Sequence, residues 1–281
     1  MMFNNILIVG SGIMGQGVAT LLLSKKLNVT QVVRTKNAVK TTKDNIIKAL
    51  TKLVRRTKIE IDLDEVMSRF NVVDELKSNS KFDLVFEAIV EDLEAKKLII
   101  KEYSNYVTAE TVWATNTSSL SITDMAATYS YPEKLLGLHF FNPVANMELV
   151  EVIPSMLTSE DTVNRCWNFC IQVGKSPVRV EDSPGFIVNR LLIPMINEAI
   201  GILESRVATI EEIDSAMKLG AHHPLGPLAL ADLIGNDVCL SIMNALYSST
   251  CDSKYRPSYL LQKMVSAKKL GRKSGQGFYT Y

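Results

Sequence analysis

Apolar and polar positions divide the chain into two stretches with different periods. The first is a series of short apolar runs: Ile6-Leu7-Ile8-Val9, Val29 to Val33, Asn71-Val72-Val73, Leu84 to Ala88, Val112 to Thr115 and Leu136 to Phe140. Such runs, rich in Val, Ile and Leu, read as buried strands, and helical patterns separate several of them. The alternation predicts an α/β fold built on a Rossmann-type, doubly wound, mostly parallel sheet. A long polar helical pattern is expected from Asn37 to Phe70. Leu149 to Ile153 and Pro177 to Val180 add strands at the far edge.

The period changes at Ser183-Pro184-Gly185. From Phe186 onward the pattern is helical, so a first domain over 1–183 and an all-helical second domain over 184–281 are expected, joined by a hinge. Ile187, Leu191, Met195, Ile196, Ala199 and Leu203 fall on one helical face, with a kink expected at Pro194. Thr209 followed by Glu212 reads as a capping box. The turn His223-Pro224-Leu225-Gly226-Pro227 precedes a helix containing Ala229 to Leu246, and the tail Gly271 to Tyr279 is basic and glycine-rich.

The first strand runs into Gly10-Ser11-Gly12-Ile13-Met14-Gly15-Gln16-Gly17 and then an apolar helical run, Val18 to Leu23. Strand, glycine turn and helix start, in that order, build an anion site from backbone. Gly10 permits the tight turn, Gly12 lets the chain approach a pyrophosphate, and Gly15 lets the helix sit close on the strand. The unpaired N–H groups and positive end of the helix dipole then face the anion. Gly10, Gly12, Ile13, Met14 and Gly15 are the candidate dinucleotide contacts.

The chain has 281 residues, 47% apolar and 22% charged, with a formal net charge of +1. That is ordinary soluble composition, with nothing to suggest nucleic acid or a membrane surface as a partner. No apolar run is long enough to span a bilayer. The N-terminus runs straight into the first strand, and four cysteines without ligand spacing suit a cytoplasmic protein with reduced thiols. Cys166 and Cys170, one helical turn apart, read as packing residues; no metal site is expected.

Three histidines are available for chemistry. His222 and His223 sit beside Pro224 and read as loop residues. His139 ends an apolar strand, at the sheet edge where ligands bind in open α/β folds. Position alone leaves two readings open there, a proton carrier and a core histidine bonded to backbone. Glu151 lies within an apolar strand, where a carboxylate is costly unless paired, and a histidine would suit it. Glu148, nearer the strand start, reads as solvated. Asn116-Thr117-Ser118-Ser119 follows another apolar strand and brings amides and hydroxyls to the same edge, including the candidate cofactor contact Asn116. Asn189, inside the first helix of the second domain, requires a hydrogen-bond partner, which an interdomain cleft would supply.

Taken together, these segments resemble the 3-hydroxyacyl-CoA dehydrogenase family, and within it the bacterial enzymes that act on 3-hydroxybutyryl thioesters. The resemblance covers nearly the whole chain. It rests on the glycine turn at 10–17, Phe86 to Leu93 with Lys96, Ala114 to Leu120, His139-Phe140-Phe141-Asn142-Pro143, Asp182 to Arg190 and His223 to Asp232. It implies a reversible oxidation of an (S)-3-hydroxyacyl thioester to the 3-ketoacyl thioester. His139 is then the catalytic base, Glu151 its partner, and Ser118 and Asn189 hold the substrate. Glu91, Lys96, Asn142 and Lys273 are implied to lie against the cofactor. A homodimer is implied as well.

Lys52, Arg55, Arg56 and Lys58 form a basic cluster, ordinarily a solvated helix face. The resemblance places this segment near the phosphates of CoA, with Arg56 and Lys52 as the expected contacts. One departure stands out. The second strand should end in an acid that holds the ribose of NAD, yet the chain continues Val33-Arg34-Thr35-Lys36. Arg34 could instead accept the 2′-phosphate of NADP, so both NAD and NADP remain open. An acyl-carrier-protein thioester in place of acyl-CoA, and a catalytically idle structural relative, also remain open.

Overall fold

A computed structural model describes residues 3–57, 62–77 and 81–281. Two compact units divide between Asp182 and Ser183.

The first unit holds a sheet of eight strands among the described residues: β1 (Asn5–Val9), β2 (Asn28–Val32), β3 (Phe70–Val73), β4 (Leu84–Glu87), β5 (Val112–Thr115), β6 (Leu135–Phe140), β7 (Leu149–Pro154) and β8 (Ser176–Arg179). Their spatial order is β3-β2-β1-β4-β5-β6-β7-β8. All neighbours pair in parallel except β6 and β7. The chain winds outward from β1 in one direction, then returns beside it as β4. The carboxyl ends of β1 and β4 therefore flank the switch point where such sheets bind ligands.

Helices α1 (Ile13–Ser24), α2 (Lys36–Thr57), α3 (Leu63–Ser68), α4 (Leu93–Glu102), α5 (Ile122–Ala126) and α6 (Glu160–Gln172) complete this unit. In the long polar helix α2, Thr42, Ile46 and Leu50 are buried at i, i+4, i+8, a single stripe facing the core. The helical pattern expected through Phe70 is broken. α2 ends at Thr57, and Asp62 opens α3 by accepting from the backbone N–H groups of Asp64 and Glu65. Phe70 already belongs to β3. Cys166 and Cys170 lie in the apolar core, where burial raises both thiols, Cys170 to about 12.

The second unit consists of α7 (Val188–Glu204), α8 (Ile210–Gly220), α9 (Pro227–Ile234), α10 (Asn236–Thr250) and α11 (Tyr259–Ser266). The Thr209–Glu212 capping box is present at the start of α8. α7 continues through Pro194, but its core stripe is not the expected one. Ile193, Ile196, Ala199 and Ile200 are buried, whereas Leu191 is 71% and Ile187 42% exposed. The helix is apolar around much of its circumference, so sequence period alone could not set its phase. Two buried carboxylates organise the rest. Asp232 accepts from the backbone N–H groups of Phe278 and Tyr279, both at 2.9 Å, and thereby docks the C-terminal tail on α9. Asp214 accepts from Leu228 N and Ala229 N at the start of α9 and from the Tyr279 hydroxyl. A Cβ at Gly277 would stand 1.9 Å from Asp232, so a glycine is required there.

Candidate active site at the carboxyl edge of the sheet

The glycine turn closes β1 onto α1. Gly10 has φ +116°, and a Cβ on it would lie 2.4 Å from the Ala88 carbonyl oxygen. A Cβ on Gly15 would lie 2.3 Å from the Gly10 carbonyl oxygen. These two glycines permit the close approach of strand, turn and helix. Gly12 differs: a Cβ there would meet nothing within 4 Å. It is the N-cap of α1 and makes no side-chain cap. Open space in front of an uncapped helix start is the cradle a pyrophosphate needs, so this turn fits a dinucleotide. Buried Gln31 on β2 donates to the Gly10 carbonyl at 2.8 Å and braces the turn. Ile13 opens α1 at 74% exposure, with Met14 packed beside it on the core.

Beyond β2, Arg34 and Lys36 are exposed, and neither has a carboxylate partner among the described residues. The first turn of α2 carries no acid. Among the described residues of this unit, no carboxylate elsewhere in the chain pairs with Arg34 or Lys36 in place of the acid missing from the sequence here.

β6 and β7 pair antiparallel with His139 directly opposite Glu151. His139 Nδ1 lies 2.7 Å from Glu151 Oε2, with the histidine 4% and the glutamate 0% exposed. An ionised Glu151 accepts from Nδ1–H, which leaves Nε2 as the proton-accepting atom. On that side Ser118 Oγ stands 3.2 Å from Nε2. The Phe141 ring packs beside the imidazole, 4.5 Å between centroids. Asn116 braces the same edge: its Oδ1 accepts from Phe140 N at 2.9 Å. Glu148 is exposed, as expected.

Ser118 is held by Glu91. Oε1 of Glu91 accepts from Thr117 Oγ1 at 2.6 Å, Ser118 N at 2.8 Å and Ser119 N at 3.2 Å. Lys96, 1% exposed, places Nζ 3.7 Å from Glu91 Oε2 and 2.7 Å from Glu87 Oε1. Glu87 was not singled out from sequence. It ends an apolar strand, where a terminal carboxylate reads as solvated, yet it is 1% exposed.

The loop after His139 contains Asn142, exposed and joined to Pro143 by a cis peptide bond. The same loop is fastened from below by Lys175, whose Nζ donates to the carbonyls of Val144 at 2.5 Å and Met147 at 2.7 Å. Burial lowers the Lys175 pKa. Arg56 at the end of α2 donates to Asn146 Oδ1 and so reaches this loop; Lys52 is exposed one turn earlier, and Lys58 lies outside the described residues.

In the second unit, Asn189 occupies the first turn of α7 and is half-buried. Lys273 in the tail pairs with Asp237 Oδ2 at 2.6 Å. His222 and His223 lie in the loop before α9.

Residues 5–183 match the family described as 3-hydroxyacyl-CoA dehydrogenase, NAD binding domain, and residues 185–281 match the C-terminal domain of the same family. The 3-hydroxybutyryl-CoA dehydrogenase of Clostridioides difficile is 47% identical over 98% of each chain. Among solved structures, (S)-3-hydroxybutyryl-CoA dehydrogenase PaaH1 from Ralstonia eutropha is 42% identical, covers 99% of each chain and has a TM-score of 0.93. FadB2 of M. tuberculosis is 37% identical over the full length of both chains, with a TM-score of 0.96. The glycine cradle and this full-length similarity in both units lead to one conclusion: the chain belongs to the 3-hydroxyacyl-CoA dehydrogenase family of NAD(P)-dependent oxidoreductases, closely related to its bacterial 3-hydroxybutyryl-CoA dehydrogenases.

Proposed function

We propose that this chain interconverts (S)-3-hydroxybutyryl-CoA and acetoacetyl-CoA, with His139 as its proton carrier. The observation that carries this reading is the line of contacts Glu151–His139–Ser118 at the carboxyl edge of the sheet. The names of the similar bacterial enzymes support the short acyl chain.

In the oxidative direction, Nε2 of His139 takes the proton of the substrate hydroxyl. Glu151 keeps Nδ1 protonated and stabilises the imidazolium as it forms. Ser118 Oγ donates to the reacting oxygen, with Asn189 as a second donor, where negative charge grows in the reductive transition state. In reduction His139 returns the proton. A nicotinamide cofactor would supply the hydride acceptor or donor. The backbone of Gly10 to Gly15 would hold its pyrophosphate, and Glu91, Lys96, Asn116, Asn142 and Lys273 would be the cofactor's further neighbours. Lys52 and Arg56 meet the nucleotide phosphates of the thioester; the reach of Arg56 to the loop after β6 supports this.

A second element of the proposal concerns the cofactor. Exposed Arg34 and Lys36, with no acid at the end of β2 or in the first turn of α2, favour acceptance of NADPH beside NADH. We also propose a homodimer formed through the helical unit, supported by the exposed apolar side chains Leu191, Leu219 and Tyr259.

The deciding experiment is turnover of acetoacetyl-CoA with each reduced nicotinamide in turn, beside the same acyl group on an acyl carrier protein. Turnover of the CoA thioester is expected. Preference for the carrier-bound group would move the substrate assignment, and absence of turnover on either would leave an idle structural relative.

A further inference from the structure

We propose that Glu87 is a positioning residue for the active site, acting on Ser118 through Lys96 and Glu91. The inference rests on the dehydrogenase reading of His139 and Ser118.

Glu87 makes three close side-chain contacts from a position 1% exposed. Oε1 accepts from Ile89 N and Lys96 Nζ, both at 2.7 Å, and Oε2 accepts from Thr115 Oγ1 at 2.6 Å. Both oxygens are thereby fixed, and with them the ammonium of Lys96. A buried lysine without a counter-charge is strongly disfavoured, so Lys96 stays with its carboxylates. The second of these is Glu91, whose Oε2 lies 3.7 Å from Nζ. This leaves Oε1 of Glu91 turned to the backbone N–H groups of Ser118 and Ser119 and to the Thr117 hydroxyl. The main chain of Ser118 is set in this way, and its hydroxyl stands 3.2 Å from Nε2 of His139. One continuous set of polar contacts therefore runs from Glu87 to Glu151, with the proton-carrying imidazole near its far end.

The charge arrangement explains why a carboxylate serves here. One ammonium lies between two carboxylates, nearer to Glu87 by 1.0 Å (3.7 less 2.7). Neutralising Glu87 leaves Glu91 as the one carboxylate paired with Lys96 among the described residues. The ammonium is then drawn toward Glu91, whose bonds to the Ser118 loop are pulled out of line. Glutamine at position 87 has nearly the same shape: its Oε1 can still accept from Ile89 N while its Nε2 donates to Thr115 Oγ1, so the variant removes the charge and reverses one hydrogen bond.

The test is a double-mutant cycle. Glu87→Gln is made in the native chain and in a Ser118→Ala background, and kcat, the KM for acetoacetyl-CoA and the thermal midpoint are measured. Action through Ser118 predicts a fall in kcat of about tenfold in the native chain, a KM changed less than about twofold, and a fall of less than about twofold in the Ser118→Ala background. Equal losses in both backgrounds would overturn the proposal, since a purely structural effect or a direct cofactor effect is indifferent to the Ser118 hydroxyl. Should Glu87→Gln fail to fold, Glu87→Gln/Lys96→Gln removes both buried charges together, and the same non-additivity is required of it. Near-normal turnover by His139→Ala would instead defeat the underlying dehydrogenase reading, an outcome separate from additivity in the cycle.

Discussion

His139 and Glu151 face each other across the antiparallel pairing of β6 with β7, Nδ1 to Oε2 at 2.7 Å. Antiparallel register brings the residues of an opposed pair side by side on one sheet face. Both groups are buried, so each gives the other the partner that desolvation demands. The consequence is that Nδ1 is engaged and Nε2 is directed to Ser118. His139→Ala should cut turnover by about two to four orders of magnitude, the usual scale for loss of general acid–base help. Glu151→Gln should also be severe, because a neutral amide no longer stabilises the imidazolium. Steady-state kinetics on both variants, with circular dichroism to establish folding, decide this; a folded His139→Ala enzyme of normal rate would remove His139 from the mechanism.

Arg34 should act on one cofactor more than the other. Arg34→Ala is expected to raise the KM for NADPH by more than that for NADH, because the two differ by the 2′-phosphate. The difference should be modest, since an exposed cation is screened by salt and loses entropy when ordered. Calorimetric titration with NADP and NAD gives the same comparison without turnover. Equal changes for the two cofactors would return Arg34 to the role of a surface charge.

Glu212 gives the second unit an acid-sensitive cap. The Thr209 backbone N–H, and then its hydroxyl, hold the Glu212 carboxyl below its usual range. A depressed folded value means that its contribution is complete above the unfolded value of about 4.3 and is lost as pH falls through the lower folded value. Glu212→Gln should therefore lower the thermal midpoint at neutral pH and converge with the native protein as pH falls through the lowered value of Glu212. A gap that stayed constant with pH would show that the charge of Glu212 contributes nothing.

The four cysteines should separate by reactivity. Cys166, Cys170 and Cys239 are buried, and burial raises all three thiols; Cys251 is exposed. Thiolate is the reactive form, so a thiol reagent should modify Cys251 quickly and the others upon unfolding. Fast modification of more than one thiol in the native protein would contradict this packing.

Dimerisation should be visible as mass. Sedimentation equilibrium at micromolar concentration is expected to give twice the chain mass, and Leu191→Glu, which places a charge on an exposed apolar position, should weaken the association. A monomer at that concentration would exclude the proposed assembly.

The sequence alone determined what depends on near neighbours in the chain. Gly10, Gly12 and Gly15 mark the nucleotide turn because the strand, turn and helix they join are consecutive. The Thr209–Glu212 box was legible for the same reason, and the alternation of short apolar runs carried the parallel sheet. His139 drew notice as a titratable group at a strand end, and Glu151 as a carboxylate in an apolar strand that needed a partner. Their meeting required the register of β6 against β7, which the tertiary structure decided. Ser118 reached His139 because β5 and β6 are neighbours in the sheet. Glu87 was missed because its partners, Lys96 and Thr115, come from a helix and an adjacent strand, so its burial has no local signature. The phase of α7 was missed for a related reason: several of its faces are apolar, and the packing of α8 to α11 selects the one that is buried. Local rules give elements and turns; burial and charge pairing depend on groups that folding brings together from distant parts of the chain.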